Sequence, residues 1–550
     1  MDCDLLVENA SIVDGTGRPA FRGGLAVRDG RILDVHQEGR ERGWTAGHTL
    51  DASGLTVAPG FIDVHSHAEF LLPLDQHPEL LACMLEQGVT TIVGGNCGFS
   101  PAPLVAGSPH RDLLAQALEF ISSQPLDMSW SDTGSFMDLL ERRGLSLNLA
   151  LLVGHGTMRW SLLGPDYAYP GPAGIAELER ILDESFQEGA FGLSLGLGYE
   201  PGMFVDMREL EDLARAVRRR DGILTVHLKA LSRLSPAYGI GLFGQPHNIR
   251  ALKEMLGLAD RTGVRLQISH LIFAGRRSWS TCDRALELIE RAASKGVDVA
   301  FDAFPYPCGN TTIRIAFPAW FLKDFENNLA RPAAVFRLRL EWELMKRLIG
   351  FGMDDMRLLW GGCPEMERYD GRLFSDIGRD MGRSAESAYL EVARASRGRA
   401  TCLLYTYSAD ASDETALLKV LAHPLNLFET DAIISPKGAA NPAAVGTFPR
   451  VIQRCHKELG LMSLEDAVAR MTGASARRVG LADRGTVEPG RWADLTLFDY
   501  DQIRDNTTDE DTRRPPSGIR YVFVNGRLAV ENGRAVPGLR AGRVLRRRSG

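Results

Sequence analysis

The sequence predicts an α/β protein, a (β/α)8 TIM barrel with a small β-sandwich domain formed by the N- and C-terminal segments. Three observations predict it. Apolar runs typical of buried strands alternate with helical patterns through the middle of the chain, polar residues follow many of these runs, and short strand patterns with turn signals occupy both ends. Because alternating strands and helices form a parallel sheet, about eight such units imply closure into a barrel.

The two ends of the chain have the pattern of short strands separated by turns. Asp29-Gly30 and Asn525-Gly526 are hairpin-type pairs within them. Two β segments that flank one barrel most simply pair with each other. We therefore expect residues 1–58 and 485–550 to form one small β domain around a barrel of residues 59–484.

Eight apolar runs in the middle of the chain are expected to be barrel strands. Helical patterns lie between them, and several end in a glycine such as Gly189 or Gly263, where a left-handed cap costs least. The strands are expected to end near His67, Cys97, His155, Leu197, His227, His270, Asp302 and Asp431. Two further runs, at 357–361 and 401–407, exceed eight, so one or both belong to an insertion.

The insertion, at about residues 307–399, is too long for an ordinary loop. Its aromatic side chains are Phe317, Trp320, Phe321, Phe325 and Trp342. Long insertions on the catalytic side of a barrel often act as lids or specificity elements. The alternative is a helical subdomain that holds these aromatics in its own core. As a lid, the insertion together with Ile272 would favour an apolar acyl or aryl group.

Two histidines one residue apart, His65 and His67, close the first of these apolar runs. In a strand, residues i and i+2 point to the same face, so both imidazoles can converge on one metal ion. The alternative is an ordinary pair of packed or surface histidines. Other potential ligands also follow strands: Cys97, His227, His270 and Asp431. Because the carboxyl ends of barrel strands form one rim, their recurrence there indicates a catalytic site.

Composition predicts a soluble, cytoplasmic enzyme. A net charge of −7 gives no basic bias toward nucleic acid, and the chain contains no apolar run of the ~18 residues that a membrane span needs. The start, Met1-Asp2-Cys3-Asp4, lacks the features of a signal peptide. Eight scattered cysteines fit a reducing compartment. The basic tail, residues 543–548, is expected to be a solvated end.

Six segments give the sequence a resemblance to the amidohydrolase superfamily, and more narrowly to its D-aminoacylase (N-acyl-D-amino-acid deacylase) branch. They span nearly the whole chain and comprise residues 58–67, 88–103, 154–159, 190–197, 446–450 and 490–495. Asn96-Cys97-Gly98 is the specific segment, because most relatives place a carboxylated lysine where this branch has a cysteine.

The resemblance implies a zinc ion held tightly by Cys97, His227 and His270. His65 and His67 would form a second metal position that is weaker or empty. Thiolate and imidazole are preferred zinc ligands, and three protein ligands leave one position open for water. Zinc lowers the pKa of bound water toward ~7 and polarises a scissile carbonyl.

A carboxylate beside the metal is needed to move protons, and Asp431 is the candidate acid/base as well as a candidate metal ligand. His155 would donate a hydrogen bond to the developing oxyanion or fix a neighbouring group. A packing role for His155 is the alternative.

The substrate pocket departs from the pattern of the branch. Relatives carry a lysine, thought to hold the substrate carboxylate, where this chain has Ile272, and the usual His-Pro-Arg is replaced within residues 441–445. Tyr306 and Arg314 are further candidates for substrate binding. The cations that could replace the lysine are Arg314, Lys229, Arg276, Arg277 and Lys437, although side chains of this kind are more often solvated surface charges.

The predicted function is zinc-dependent hydrolysis of the linear amide C–N bond of an N-acyl amino acid or related N-acyl amine. Hydrolysis of a cyclic amide, a carbamate or an ester is the enzyme alternative. A non-catalytic assembly protein is the third hypothesis, although that fate usually erodes the ligands. The expected partners are a small-molecule amide and other copies of the chain, without nucleic acid or membrane.

Overall fold

A computed structural model of the chain describes residues 2–39, 43–122, 126–238 and 244–547. Its first five strands precede the barrel. They are β1 (Asp2–Ile12), β2 (Phe21–Arg28), β3 (Arg31–Gln37), β4 (Thr45–Asp51) and β5 (Leu55–Pro59). Among the described residues, none of the helices combines the length and apolar character that a membrane span requires.

Eight parallel strands form the barrel, each paired with the next barrel strand along the chain. They are β6 (Phe61–Asp63), β7 (Val89–Gly94), β8 (Asn148–Gly154), β9 (Gly192–Gly196), β10 (Ile223–His227), β11 (Arg265–Ile268), β12 (Val299–Ala303) and β16 (Asn426–Phe428). Nearly all their residues are buried, because helices cover the outer face and side chains fill the interior. The predicted TIM barrel is confirmed.

Helices connect and flank these strands. They are α1 (His77–Leu80), α2 (Ala82–Glu86), α3 (Arg111–Ser122), α4 (Thr133–Arg143), α5 (His155–Leu163), α6 (Gly171–Glu188), α7 (Met207–Arg219), α8 (His247–Thr262), α9 (Cys282–Ser294), α15 (Thr415–Ala422), α16 (Ala443–Arg450), α17 (Leu464–Met471) and α18 (Gly473–Val479). A π-helical segment, Val451–Glu458, continues α16. Gly189 and Gly263 cap α6 and α8 in left-handed conformations, as the sequence predicted.

A buried carboxylate joins the first barrel strand to the last. Asp63, at the end of β6, accepts hydrogen bonds from the backbone N–H of Thr430 at 3.0 Å and from its hydroxyl at 2.5 Å. Ser66 and Ala432 form a parallel bridge just beyond. Burial raises the pKa of Asp63 to about 7, against the opposing effect of these hydrogen bonds. The contacts close the barrel and bring together the segments that carry His65, His67 and Asp431.

The two ends of the chain pair through β5. The C-terminal strands are β17 (Leu495–Asp499), β18 (Ile519–Val524), β19 (Arg527–Glu531) and β20 (Arg534–Ala535). Because β17 lies antiparallel to β5, one mixed sheet contains strands from both ends and encloses a core that includes Val7, Leu25 and Leu497. The predicted small β domain built from the two ends is confirmed.

The basic tail is not a solvated end over its described residues, 543–547. It packs on the barrel, and Arg543 also lies over the ring of Trp492 in the small β domain. Its strand β21 (Val544–Leu545) pairs with β8. The guanidinium of Arg546 binds the carboxylate of Asp138 and donates to the carbonyl of Glu188 at 2.9 Å, while Arg547 donates to the carbonyl of Arg220. The last two carbonyls lie at helix C-termini, where unpaired carbonyl groups favour cations.

The insertion has its own sheet and its own core. An antiparallel sheet is formed by β13 (Gly309–Thr312), β14 (Met356–Trp360) and β15 (Thr401–Leu404), so both of the extra apolar runs belong to the insertion, which extends past the expected limit of 399 to about residue 404. Its helices are α10 (Ala319–Leu322), α11 (Phe325–Ala330), α12 (Pro332–Ile349), α13 (Phe374–Asp380) and α14 (Ala385–Ala395). Phe317, Phe321, Phe325 and Trp342 pack together in this core. The aromatics therefore build a subdomain.

Removing the Asp63 carboxylate should weaken the closure of the barrel. In an Asp63→Ala variant the buried N–H and hydroxyl of Thr430 lose their acceptor, which we expect to lower the free energy of unfolding by about 2–4 kcal/mol. Chemical denaturation measures this loss, with Thr430→Val as a milder companion because it removes one donor. An unchanged denaturation midpoint in Asp63→Ala would show that closure does not depend on this carboxylate.

Candidate metal centre

A buried thiol lies among three imidazoles at the carboxyl ends of the barrel strands. The Sγ of Cys97 is 3.3 Å from His65 Nε2, 3.4 Å from His270 Nε2 and 3.8 Å from His227 Nδ1. His227 Nδ1 and His270 Nε2 are 2.9 Å apart. Thiolate sulfur and imidazole nitrogen are the ligands that zinc prefers, and their lone pairs converge here on the space of one cation.

A carboxylate extends the cluster on one side. Asp431 Oδ1 is 3.4 Å from His67 Nε2 and 3.6 Å from His65 Nε2. Among the described residues, three groups able to hold a metal ion therefore share the imidazole of His65. They are a sulfur-containing group with Cys97 and His270, a group with His67 and Asp431, and a group with Asp302 and Glu429. The structure brings all six residues that the sequence suggested as metal ligands to one place.

Neighbouring charges in this cluster shift the pKa values of its members against the effect of burial. Burial disfavours ionisation of Cys97, but His65 and His270 outweigh it and hold the pKa of the thiol well below its usual range. Burial is likewise outweighed at Asp431, where the hydrogen bond to His67 lowers the pKa of the carboxyl. In turn these anions raise the pKa of the imidazoles of His65, His67 and His270, that of His67 to about 10, although burial opposes the rise. A divalent cation can displace such protons, so the donor set fits zinc.

Asp302, at the end of β12, orients two of the candidate ligands, His65 and His270. Its Oδ1 lies 3.3 Å from His65 Nδ1 and accepts a hydrogen bond from the backbone N–H of His270 at 2.7 Å. Its other oxygen accepts from the amide of Gln267 at 2.6 Å. A carboxylate on the far nitrogen of a metal-binding histidine fixes the direction of its free lone pair. The sequence placed Asp302 at a strand end but gave no reason to assign it this role.

The backbone is strained at three of the cluster residues. Cys97, His270 and Asp431 have φ values of 54°, 31° and 46°, in the left-handed region that side chains rarely adopt. Each such residue costs about 1–3 kcal/mol and persists where the surroundings enforce it. Hydrogen bonds do so here, because the N–H of Asp431 donates to the carbonyl of His65 at 3.0 Å and that of His270 to Asp302. The strain falls on residues that aim ligands into the cluster.

Sequence patterns missed Tyr199. Its hydroxyl donates to the carbonyl of Cys97 at 3.0 Å, and its ring lies 4.7 Å from that of His227 and stacks on Phe99 at 5.3 Å. Tyr199 therefore holds the loop that presents the thiol. Its position two residues beyond the expected end of a strand was the available signal, but a tyrosine there is not a metal-ligand type.

His155 lies in a separate buried charge cluster. Its Nε2 is 2.8 Å from Glu209 Oε1, and the same oxygen accepts a hydrogen bond from Arg159 Nε at 3.0 Å. All three side chains are fully buried. The structure thus pairs His155 with the carboxylate of α7, the arrangement expected of a residue that fixes the start of α5.

Ile272 and Tyr306, two of the suggested substrate-binding residues, lie in one apolar cluster. We call it the apolar wall; its fully or mostly buried members are Ile272, Phe304, Tyr306, Cys308, Leu359, Leu403 and Ala443. Strands β14 and β15 of the insertion contribute two of these side chains, so the subdomain covers this part of the barrel mouth. The Tyr306 hydroxyl donates to Asp505 at 2.9 Å and is thereby held within the wall.

The suggested cations lie apart from one another. Arg314, the third substrate-binding candidate, does not join the other two, because it is exposed on the insertion with its guanidinium 4.8 Å from the ring centroid of Phe325. Arg276 is exposed and paired with two carboxylates, and Arg277 and Lys437 are also exposed. Lys229 alone of the five is half-buried, two residues beyond His227, and burial lowers its pKa.

Residues 48–319 and 393–530 match the sequence model of the amidohydrolase family. The unmatched part, 320–392, falls within the inserted subdomain. The chain is 31% identical over 545 residues to an N-acyl-D-glutamate deacylase of Alcaligenes xylosoxydans xylosoxydans, which covers 99% of this chain and 96% of the relative.

Two solved structures share the whole architecture. An N-acyl-D-glutamate deacylase from Bordetella bronchiseptica, complexed with zinc and a phosphonate mimic of the tetrahedral intermediate, aligns with a TM-score of 0.80 at 30% identity over 99% of this chain and 100% of that one. A D-aminoacylase with a binuclear metal center, described by one-metal activation and second-metal attenuation, aligns with a TM-score of 0.78 at 27% identity, again over 99% and 100%.

Loss of the central thiol should abolish metal binding. We expect Cys97→Ala, and likewise His227→Ala or His270→Ala, to lose most bound zinc together with activity, because the remaining donors no longer surround the cation. Elemental analysis of the purified proteins measures the zinc content. Cys455→Ala is the matched control, since this thiol is equally buried but lies in the hydrophobic core. A full zinc equivalent in Cys97→Ala would contradict the assignment.

Proposed function

Because the chain belongs to the amidohydrolase family, we propose that it hydrolyses the linear amide bond of an N-acyl amino acid or a related N-acyl amine with the help of zinc. One observation carries the proposal. A thiolate, four imidazoles and a carboxylate converge at the rim of the barrel. The donor atom of each lies within 4 Å of at least one other donor atom of the set. The relatives named N-acyl-D-glutamate deacylase and D-aminoacylase support the same class of bond.

Cys97, His227 and His270 would hold the tightly bound zinc, and His65 and His67 would hold a second, weaker ion. When bound, zinc polarises the amide carbonyl and lowers the pKa of a water molecule toward ~7. Burial also lowers the pKa of His227, which keeps this imidazole in the neutral form that a metal ligand needs. The chain supplies the remaining parts of the reaction.

Asp431 would move the protons. Its low pKa keeps the carboxylate ionised, so it can accept a proton from the attacking water as the C–O bond forms. The same proton then passes to the amide nitrogen as the C–N bond breaks, which releases an amine and a carboxylic acid. The contact with His67 at 3.4 Å holds the carboxylate in position for both transfers.

The apolar wall would set the substrate class. A free carboxylate held against Ile272 would lose its water without gaining a partner, at a cost of several kcal/mol. An apolar acyl group or an uncharged amine part fits this surface better. If the substrate does carry a carboxylate, the half-buried Lys229 is our candidate to pair with it.

The alternative reactions are distinguishable by substrate. A cyclic amide, a carbamate or an ester would use the same donors, and each belongs in the panel described below. A non-catalytic assembly protein is disfavoured, because all six donor residues are present and brought together. All eight cysteines lie in the part of the chain that the structure describes, and each is a free thiol there. Free thiols fit the reducing cytoplasm that we propose as the location.

Asp431→Asn tests the acid/base role. The change keeps the shape of the side chain but removes the proton acceptor, so we expect turnover to fall by about 10²-fold or more while zinc stays bound. Steady-state kinetics and metal analysis on the same preparation provide the readout. Asp370→Asn, at a half-buried carboxylate of the insertion, is the matched control. Turnover close to that of the parent would transfer the role to another residue.

Ile272→Lys tests the origin of specificity. We expect the parent enzyme to prefer bulky or uncharged amides over small free N-acyl-D-amino acids, and the added ammonium group to shift the ratio of kcat/KM values toward carboxylates. A panel of charged and neutral amides, with cyclic amides, carbamates and esters included, measures the ratio. Ile272→Met is the matched control for volume. A clear preference of the parent for small free N-acyl-D-amino acids would show that Ile272 does not direct specificity.

A further inference from the structure

Glu429 is a buried carboxylate that the proposed reaction does not use. It follows β16, two residues before Asp431, and its side chain is fully buried. Among the residues that the structure describes, neither of its two oxygens has a hydrogen-bond partner. An ionised carboxylate in such a place is costly, because it has lost its water without gaining a donor. Glu429 is therefore either protonated or bound to a cation.

Two further ligand types lie beside Glu429. One ligand atom each of His65, Asp302 and Glu429 lie within 4.8 Å of one another, and all three residues are buried. Asp302 Oδ1 is 3.3 Å from His65 Nδ1. That separation is also close to the spacing of neighbouring ligands around a cation with bonds of about 2.1–2.4 Å. The three side chains can thus hold one small cation between them.

The charges around Glu429 favour a cation beside it. Burial raises the pKa of its carboxyl well above the usual range, and His65 opposes this rise. Three neighbouring carboxylates add to the rise, those of Asp302, Asp431 and Asp63. Because like charges repel more strongly where water is excluded, four acidic groups this close are stabilised by a positive ion among them.

We propose that Glu429, Asp302 and His65 hold a divalent cation at the Nδ1 edge of the His65 ring. We call this the inner position. Carboxylate oxygens suit harder cations than thiolate does, so two carboxylates and one imidazole fit an ion such as Mn²⁺. The inner position differs from both proposed zinc positions, since neither Cys97 nor His67 belongs to it. It does not depend on which bond the enzyme cleaves.

The inner position and the second zinc position compete for one imidazole. A neutral imidazole has a single free lone pair, because its other nitrogen carries the proton. A cation at the inner position uses the lone pair of His65 Nδ1 and leaves the proton on Nε2. The second zinc position, at His65 and His67, needs the lone pair of Nε2 and leaves the Nδ1 proton facing Asp302. Each cation therefore weakens the binding of the other, by the same factor in both directions.

Manganese binding to the zinc-loaded protein tests the inner position. His67→Ala removes the second zinc position, and we expect this variant to bind one Mn²⁺ ion. Adding Glu429→Gln keeps the shape of that side chain but removes its charge, so it should weaken Mn²⁺ binding by at least about 10-fold. Electron paramagnetic resonance measures the free Mn²⁺ in a titration of each variant.

Glu209→Gln in the same His67→Ala background is the matched control. Glu209 is equally buried, but its carboxylate is paired with His155 and Arg159. The change should leave the Mn²⁺ affinity as it is in His67→Ala alone. Zinc content and circular dichroism verify that each variant is folded. Absence of Mn²⁺ binding by His67→Ala, or an equal affinity after Glu429→Gln is added, would overturn the inner position.

A second measurement needs no change at Glu429. Electron spin-echo modulation of Mn²⁺ bound to His67→Ala should show coupling to the nitrogen of one imidazole, that of His65. A spectrum without nitrogen coupling would overturn the proposal, whether or not Glu429→Gln folds. Neither measurement uses turnover, so a failure of the inner position leaves the proposed amide hydrolysis standing.

Discussion

The site depends on one constraint, the burial of a thiolate and a carboxylate among imidazoles at the rim of a closed barrel. Cys97 Sγ and Asp431 Oδ1 both approach the Nε2 of His65, at 3.3 Å and 3.6 Å, and both residues are held in left-handed backbone conformations. Such an arrangement is costly unless the anions are neutralised, and a cation does this while replacing the imidazole protons. The closure of the barrel at Asp63 contributes to this arrangement, because it brings the first and last strands together.

The inserted subdomain contributes side chains to the apolar wall. The side chains from β14 and β15 pack in the same cluster as Ile272 of the barrel, so under our proposal the insertion would help to shape the substrate surface. The core of the subdomain, built around Phe317 and Trp342, keeps those strands in place.

The sequence predicted the barrel, the small β domain and the convergence of the candidate metal ligands, because strand periodicity and the position of ligand-type residues at strand ends are local signals. It could not predict contacts that depend on distant pairing. The arginines of the basic tail donate to carbonyls at helix ends. Arg314 packs on a phenylalanine of the insertion, and the Tyr199 hydroxyl donates to a carbonyl that follows another strand. The limits of the two domains also depend on distant pairing. Residues near 544 pair with β8 of the barrel, and no local pattern in the sequence indicates this pairing.

The most direct test of the central claim is X-ray absorption at the zinc edge of the purified, zinc-loaded protein. A centre built on Cys97 predicts one sulfur at about 2.3 Å from the metal together with nitrogen or oxygen ligands at about 2.0–2.1 Å. A spectrum that needs no sulfur, with nitrogen and oxygen ligands alone, would contradict the account, because the thiolate would then not hold the metal.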